Sequence, residues 1–368
     1  MTEPPFLVHI SPTQVRLGRR RLLNFGGSDY FRMAWDPAVR EAVARATRRL
    51  GHNGYAASRQ TTGNHPLYAE YEAALADYAG SEAALVTPSG YVGPLVAAQG
   101  LAPDFTHVLL DTKAHACLHD AAAVTGLPVV QFPHGDVVGL RKAIRTCGRR
   151  ARLLAMCDGL SALFGTIAPI VDYLDVLPAT ATLLVDDSHG FCVLGERGRG
   201  SLEYLGVSDS RVLPTATLSK TLGAFGGVLF CSADIRRRIL ARSRAYAGGS
   251  PLPLALVAGG MKSLAILRKR GSRLRHLLQS NAAPFRELTT PIGVPAGKHV
   301  GPMFSFAVPS ACGERLLCRR LLREGIYPPL IRYSGGPAEC FFRFAISTAH
   351  TPEQLAPLLR VLSASIEN

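Results

Sequence analysis

Residues 182–190 read TLLVDDSHG, and this stretch decides the fold. Four apolar or β-branched residues lead directly into two carboxylates, a serine, a histidine and a glycine. That order is typical of a buried parallel strand that ends in a polar loop. Residues 212–220, VLPTATLSK, repeat the pattern and end on Lys220, just before a glycine-rich turn at residues 223–227. Ligands of parallel sheets bind beyond the carboxyl ends of the strands, so the polar residues at these ends are candidates for a site.

The same alternation of short apolar runs with helix-length segments extends through much of the chain. It predicts an α/β fold with a mostly parallel central sheet flanked by helices. The other apolar runs are residues 84–86, 108–110, 129–130, 153–155 and 227–230.

The chain divides into three predicted regions. Residues 1–35 carry short strand-like runs and predict an N-terminal arm, and residues 36–250 predict the large domain. A stretch rich in glycine and proline ends that domain. Residues 251–368 then predict an interdomain helix, about residues 254–275, and a smaller α+β C-terminal domain.

The composition excludes several classes of protein. Hydrophobic residues make up 47% and charged residues 18% of the chain, which fits a folded protein with a sizeable core. No apolar run reaches the roughly 20 residues of a membrane span, and the N-terminus lacks the pattern of a signal peptide. Eight scattered cysteines without a CxxC pair disfavour a zinc site or a disulfide framework. We therefore expect a cytoplasmic protein without membrane contacts.

The net charge of +14 leaves two interpretations of the basic surface. The positive residues lie on helix-like stretches without interleaved aromatic residues, so no nucleic-acid partner is expected. A solvated face is the first interpretation, and attraction of a polyanionic substrate such as a coenzyme A ester is the second. His115, Cys117 and His119 resemble a metal cluster, but only the two histidines share a helical face, so no metal is expected.

One cofactor accounts for the polar residues at the strand ends. Pyridoxal 5′-phosphate needs an amine for an imine, a carboxylate at its pyridine nitrogen, donors for its phosphate and a flat group against its ring. Lys220 supplies the amine and Asp186 the carboxylate. The other roles go to Ser89, Gly90, Tyr91 and Thr217 at the phosphate, His115 at the ring face and His189 near the phenolic oxygen.

Each of these residues also has an ordinary structural explanation. An aspartate after a strand is often a helix cap, and a lone lysine is often a surface residue. A single histidine is more often structural than catalytic. The combination is specific because all of these residues occur in one chain order, each at the end of a predicted strand.

Several motifs resemble those of the α-oxoamine synthases, a branch of the fold-type-I pyridoxal-phosphate enzymes with the aspartate aminotransferase fold. The most specific are VDDSHG at residues 185–190, GERGRG at 195–200 and TLSK at 217–220. The others are ASR at 57–59, TG at 62–63, YE at 71–72, PSGY at 88–91, HAC at 115–117, FPHGD at 132–136 and FRFAISTAH at 342–350.

The resemblance implies roles for individual residues. Lys220 is similar to the lysine that forms the imine, and Arg343 to the arginine that holds the substrate carboxylate. Ser250 is similar to a hydroxyl residue that reaches the phosphate of the neighbouring subunit, which implies a homodimer with shared active sites. The resemblance supports the roles given above to Asp186, His115 and His189, adds Asp158 and Ser219 at the cofactor, and places Ser58 and Arg59 near the substrate.

The resemblance also implies a PLP-dependent transferase that condenses a small α-amino acid with an acyl thioester, of coenzyme A or a carrier protein, with decarboxylation to an α-aminoketone. Residues 158–170, DGLSALFGTIAPI, depart from the family pattern because Ala162 occupies the position of the family's serine. Other reactions of the same cofactor stay open: transamination, aldol cleavage, or γ-elimination or replacement, including one on S-adenosylmethionine. A basic nucleic-acid-binding protein is the alternative from a different class.

Overall fold

A computed structural model of the chain describes residues 5–51, 57–288, 298–308, 310–332 and 339–366. Its strands are β1 Val8–Ser11, β2 Gln14–Leu17, β3 Arg20–Leu23, β4 Ala83–Thr87, β5 His107–Asp111, β6 Val129–Phe132, β7 Leu153–Asp158, β8 Thr182–Asp186, β9 Val212–Thr217, β10 Gly227–Cys231, β11 Met303–Phe306, β12 Leu330–Ile331 and β13 Phe341–Ala345.

The helices of the described residues connect and cover these strands. They are α1 Pro37–Leu50, α2 Pro66–Ala79, α3 Val92–Leu101, α4 Ala116–Val124, α5 Val137–Cys147, α6 Ile170–Val176, α7 Ser201–Tyr204, α8 Ala233–Arg242, α9 Arg244–Ala247, α10 Leu254–Leu288, α11 Ala311–Arg323 and α12 Pro352–Ile366. None of them combines the length and the apolar character that crossing a membrane requires.

Seven strands form the central sheet, in the order β4-β10-β9-β8-β7-β5-β6. Strand β10 is antiparallel to both of its neighbours, and the remaining pairs are parallel. All six residues of β7 are buried, as expected for a strand covered on both faces. The predicted α/β fold with a mostly parallel sheet is therefore confirmed.

Side chains of the sheet alternate between two cores. Leu110, Leu154 and Leu184 pack into one core with residues of α3 and α4. Their neighbours Leu109 and Leu153 pack into the other core with residues of α5 and α6. Since successive side chains of a strand point to opposite faces, the continuous apolar runs bury both faces of the sheet.

The strand register brings polar residues to one edge of the sheet. Asp158 at the end of β7 pairs with Asp186 at the end of β8, and Asp186 pairs with Thr215 of β9. On the antiparallel side, Gly227 at the start of β10 lies opposite Thr217. The carboxyl ends of β7, β8 and β9 thus meet the start of β10.

The N-terminal arm forms a small antiparallel sheet, β1-β2-β3, that joins the C-terminal part of the chain. The Leu23 N–H donates to Gly325 O at 2.7 Å, and the Ala345 N–H donates to Phe25 O at 2.6 Å. Phe25 is fully buried in the core that surrounds the second small sheet, β11-β13-β12. Backbone pairing and apolar burial therefore tie the arm to the strand that carries Arg343.

Helix α10 is longer than the sequence predicted. It continues past Arg275 to Leu288, with Pro284 inside its last turns. Leu278, Ala282 and Phe285 are buried at helical spacing, so apolar packing sustains these turns although proline removes one backbone hydrogen bond. The prediction that the interdomain helix ends near residue 275 is therefore wrong. The predicted domain boundaries at residues 35/36 and 250/251 stay predictions.

Candidate active site

Lys220 and Asp186 lie at the centre of the polar edge. Lys220 is half-buried as a residue. Burial lowers the pKa of this amine below its ordinary value, an effect that Asp186 opposes and Arg343 increases. A lysine in such a position exchanges protons nearer neutrality than a surface lysine does. Asp186 ends β8 and Lys220 follows the end of the neighbouring strand β9, so their meeting follows from the sheet topology.

Two hydrogen bonds hold the carboxylate of Asp186. The Ser188 N–H donates to Asp186 Oδ1 at 3.0 Å, and the Cys117 thiol donates to Asp186 Oδ2 at 3.2 Å. The Ser188 hydroxyl in turn accepts the Thr217 N–H at 3.0 Å. The backbone of the loop after β8 thus fixes one oxygen, while a thiol, a weak donor, meets the other.

His115 is the N-cap residue of helix α4 and lies at the end of the loop that follows β5. The ring nitrogen Nδ1 accepts the Cys117 backbone N–H at 3.3 Å, and the backbone N–H of His115 donates to both oxygens of Asp158, at 3.1 and 3.2 Å. The ring of Tyr91 meets the His115 ring edge-on, 6.0 Å between centroids. Burial lowers the pKa of His115, which favours a neutral ring at pH 7. The residue is therefore a flat, uncharged group held in place from both ends.

Asp158 supports His115 rather than carrying a charge of its own. The residue is buried beside Asp186 on the neighbouring strand. Burial raises the pKa of Asp158 well above its ordinary value, and the charge of Asp186 adds to this. Two adjacent buried carboxyls cannot both ionise cheaply, so the neutral form of Asp158 is favoured.

Tyr30 is a site residue that the sequence reasoning missed. Its hydroxyl and His189 Nδ1 share a 2.6 Å hydrogen bond whose donor depends on the histidine tautomer. Both side chains are buried. Burial lowers the pKa of His189 well below its ordinary value, and the nearby Lys220 contributes to this, so the ring is neutral. Tyr30 follows no predicted strand, so the sequence pattern did not place it at the edge of the sheet.

A cradle of small groups lies between the β9–β10 turn and the start of α3. The Thr217 and Ser219 hydroxyls are 2.8 Å apart, and the Ser89 hydroxyl accepts the Val92 N–H at 3.2 Å. A Cβ on Gly90 would lie 2.4 Å from Thr217 Cβ, so only glycine allows this approach. Hydroxyls and backbone N–H groups at a helix N-terminus suit an anion such as a phosphate.

Other predicted residues lie around this centre. Arg343 on β13 is half-buried and close enough to affect the pKa of Lys220, His189 and Tyr30. Ser250 is exposed in the single chain.

Arg59 and Ser58 make internal contacts in the structure. Arg59 forms an ion pair with buried Glu72, Nη1 to Oε1 at 2.5 Å, and its guanidinium stacks over the Tyr68 ring. The Ser58 hydroxyl donates to Ala247 O at 2.5 Å. These contacts engage both side chains within the large domain, and their role at a substrate stays a prediction.

His115, Cys117 and Asp186 form a cluster that the sequence reasoning did not foresee. One side-chain ligand atom of each lies within 4.8 Å of the others. The sequence pattern of His115, Cys117 and His119 did not predict a metal site, since only the two histidines share a helical face. The structure places Asp186 beside His115 and Cys117, because the carboxyl end of β8 reaches the first turn of α4.

Asp187, the next residue along, serves the fold. Its carboxyl accepts the Ser201 hydroxyl at 2.5 Å and the Ser201 N–H at 2.8 Å, and Gly190 and Gly200 pack closely against it. Burial raises the pKa of Asp187 to about 7 from its ordinary 3.8, and the bonds from Ser201 reduce the shift. In the folded chain the carboxyl of Asp187 is therefore mostly neutral below about pH 7.

This shift predicts a pH-dependent stability. Between its ordinary pKa and about 7, the folded state binds a proton that the unfolded chain has lost, so the contribution of Asp187 to the free energy of unfolding falls as pH rises through this window. Asp187→Asn should remove that contribution while keeping both contacts with Ser201. The free energy of unfolding is measured in urea at about pH 4.5 and about pH 8. The difference between variant and parent should shift in favour of the variant at the higher pH. An equal difference at both pH values would contradict the shifted pKa.

Comparison with known proteins agrees with this geometry. The family described as aminotransferase class I and II matches residues 20–362. An 8-amino-7-oxononanoate synthase from Trichlorobacter lovleyi is 30% identical over 345 residues, covering 93% of this chain and 88% of the relative.

Solved structures show the same similarity. The Sphingomonas wittichii serine palmitoyltransferase has a TM-score of 0.89 at 26% identity and covers 98% of this chain and 92% of its own. A serine palmitoyltransferase from S. paucimobilis, with bound pyridoxal phosphate and myriocin, gives the same TM-score of 0.89, identity of 26% and coverage of 98% and 92%.

Proposed function

Because the chain belongs to the aminotransferase class I and II family, and within it to the α-oxoamine synthases, we propose that it condenses an α-amino acid with an acyl thioester. Its cofactor is pyridoxal 5′-phosphate. In the proposed reaction the acyl carbon of the thioester forms a bond to the α-carbon of the amino acid, and the bond between the acyl carbon and sulfur breaks. The thiol leaves, the amino acid carboxyl departs as carbon dioxide, and an α-aminoketone remains.

The residues of the site fit this cofactor. The cradle beside Gly90 offers hydroxyls and helix N–H groups where an added Cβ would clash, which suits a phosphate. Asp186 is a carboxylate with one oxygen fixed by backbone, which suits a protonated ring nitrogen. Lys220 would hold the aldehyde carbon and His115 would cover a ring face. The meeting of Lys220, Asp186 and His115 is the single observation that carries the proposal.

The bound cofactor supplies an electron sink for the charge that develops on the amino acid α-carbon. Lys220 moves the α-proton, because its lowered pKa makes the neutral amine accessible. Asp186 keeps a proton on the ring nitrogen by charge-assisted hydrogen bonding. His189, fixed by Tyr30, would donate near the phenolic oxygen.

Arg343 would hold the carboxylate of the amino acid. A guanidinium forms two parallel hydrogen bonds to a carboxylate and so fixes its orientation. Its effect on the pKa of Lys220 indicates that the two side chains are close enough to serve one small substrate. The net charge of +14 would favour a polyanionic acyl donor such as a coenzyme A ester.

The condensation is tested by a two-substrate assay. The purified protein with cofactor is incubated with glycine, alanine, serine or S-adenosylmethionine and a panel of acyl-coenzyme A esters. Free thiol and the mass of the aminoketone are followed. Thiol release that requires both partners is expected. Keto-acid formation without thiol release from any donor would instead identify an aminotransferase.

We also propose that the enzyme is a homodimer in which Ser250 serves the phosphate of the partner subunit. The exposure of this hydroxyl in the single chain supports the proposal. All eight cysteines lie among the described residues and are free, which supports a reducing compartment such as the cytoplasm.

Complementation between inactive variants follows from a shared site. Lys220→Ala and Ser250→Asp should each be inactive, and unfolding and refolding them together should restore up to about a quarter of the parent activity. Random reassembly makes half of the dimers hybrids. Each hybrid has one site with both Lys220 and Ser250 and one site with neither, so about a quarter of all sites are intact.

The matched control mixes Lys220→Ala with Asp186→Ala. Both residues belong to the same chain's half of the site, so no hybrid site would be intact and no activity should return. Recovery in the control, or an active enzyme that sediments as a monomer, would contradict the shared site.

A further inference from the structure

Asp186 lies beside two other side chains, and the three together are of the kinds that bind zinc. His115, Cys117 and Asp186 offer a nitrogen, a sulfur and an oxygen, all within 4.8 Å of one another. Cys117 is buried, with its sulfur 3.0 Å from His115 Nδ1 and 3.2 Å from Asp186 Oδ2. Two of these three residues are the ones proposed for the cofactor, and Cys117 has no part in that proposal.

Two of the three separations between these ligand atoms are close to those of a tetrahedral centre. Bonds of about 2.3 Å to sulfur and about 2.0 Å to nitrogen or oxygen place neighbouring ligands about 3.5 Å apart. The two observed separations, 3.0 and 3.2 Å, are within about 0.5 Å of that value. Small side-chain rotations would therefore admit an ion, and water could complete the fourth position.

Neighbouring groups already orient the ligands. The Ser188 N–H holds the other oxygen of Asp186 at 3.0 Å, and Asp158 anchors the backbone of His115. Such contacts behind the ligands fix their orientation and raise metal affinity.

We propose that the cofactor-free chain binds one zinc-like divalent cation through His115, Cys117 and Asp186, and that this cation and pyridoxal phosphate exclude each other. The cation replaces the thiol proton, which passes to solvent, and no redox change occurs. Exclusion follows because Asp186 and His115 cannot serve both ligands at once. This part of the inference rests on the proposed cofactor site, and it makes cation binding a control on cofactor loading.

The test uses the full chain stripped of cofactor and titrated with cadmium chloride, whose bond to a thiolate gives an ultraviolet absorption band. The parent and Cys231→Ser, which alters another buried cysteine, should each show one tight equivalent. Cys117→Ser should lose that equivalent and its band, yet still take up pyridoxal phosphate. Equilibrium dialysis with zinc chloride should give the same pattern.

Competition is measured on the same samples. Cation at ten times its dissociation constant should weaken cofactor binding about elevenfold in the parent, and not in Cys117→Ser. An undiminished band in Cys117→Ser would overturn the cation site, and simultaneous binding of both ligands would overturn the exclusion. Neither measurement involves an amino acid or a thioester, so a failed condensation assay leaves both results interpretable.

Discussion

Lys220→Ala is expected to reduce turnover by at least about 10³-fold, because the variant loses the amine that moves the substrate α-proton as well as the group that holds the cofactor. The structure supports a direct role, since burial lowers the pKa of this amine and Asp186 lies beside it. Steady-state rates with saturating cofactor measure the loss. Circular dichroism shows whether the fold is retained.

Lys113→Ala is the matched control for that loss. Lys113 follows β5 near the same edge of the sheet, and its contact with Asp111 is made by the backbone N–H. Its side chain can be removed without breaking that bond, so activity should stay within a few-fold of the parent. A small primary amine added to Lys220→Ala should restore part of the rate by replacing the missing base. Activity in Lys220→Ala close to that of the parent would exclude the proposed role.

Asp186→Asn is expected to lower turnover by about 10²- to 10³-fold and to weaken cofactor binding, because the substitution removes the charge opposite the ring nitrogen. In the parent, the Ser188 N–H donates to Asp186 Oδ1 at 3.0 Å. Asparagine keeps the shape of the side chain and an oxygen that can accept this hydrogen bond. The variant therefore tests charge rather than packing. Turnover and the cofactor dissociation constant are measured together.

Asp187→Asn is the neighbouring control. The carboxyl of Asp187 contacts Ser201 and, with its pKa raised to about 7, is only partly ionised near pH 7, so loss of its charge should leave turnover nearly unchanged. Equal losses in the two variants would mean that Asp186 has no special relation to the cofactor. Asp187→Ala is a poor control, since it would leave the Ser201 N–H without an acceptor at a cost of about 1–3 kcal/mol.

The sequence predicted the residues at the ends of adjacent strands best. Asp186 ends one apolar run, and Lys220 follows the next one along the chain. When two such runs are neighbouring parallel strands, their carboxyl ends lie at the same edge of the sheet. Short-range pattern and topology were sufficient for these two residues.

Residues that reach the site from elsewhere in the chain were not predictable in the same way. Tyr30 is 159 positions from His189 and joins it only because the arm pairs with the C-terminal sheet. Cys117 contacts Asp186 across 69 positions, because α4 packs against β5 and β7 and its first turn reaches the end of β8.

The ion-pair partner of Arg59 could not be predicted from the sequence. The structure pairs the Arg59 guanidinium with Glu72, and the substrate role that the motif implied stays a prediction. Glu72 also accepts the Val86 N–H at 3.0 Å and pairs with Arg236, so a buried carboxylate of α2 competes for this arginine. No pattern along the chain reveals which of several partners a long side chain will choose.

The central claim is that Lys220 holds the cofactor, and covalent mapping tests it most directly. The protein loaded with pyridoxal phosphate is reduced with borohydride, digested and analysed by peptide mass spectrometry. The account predicts one label per chain, on the peptide that contains Lys220, and no label in Lys220→Ala. A label on Lys113 or another lysine, or no label after loading, would contradict it.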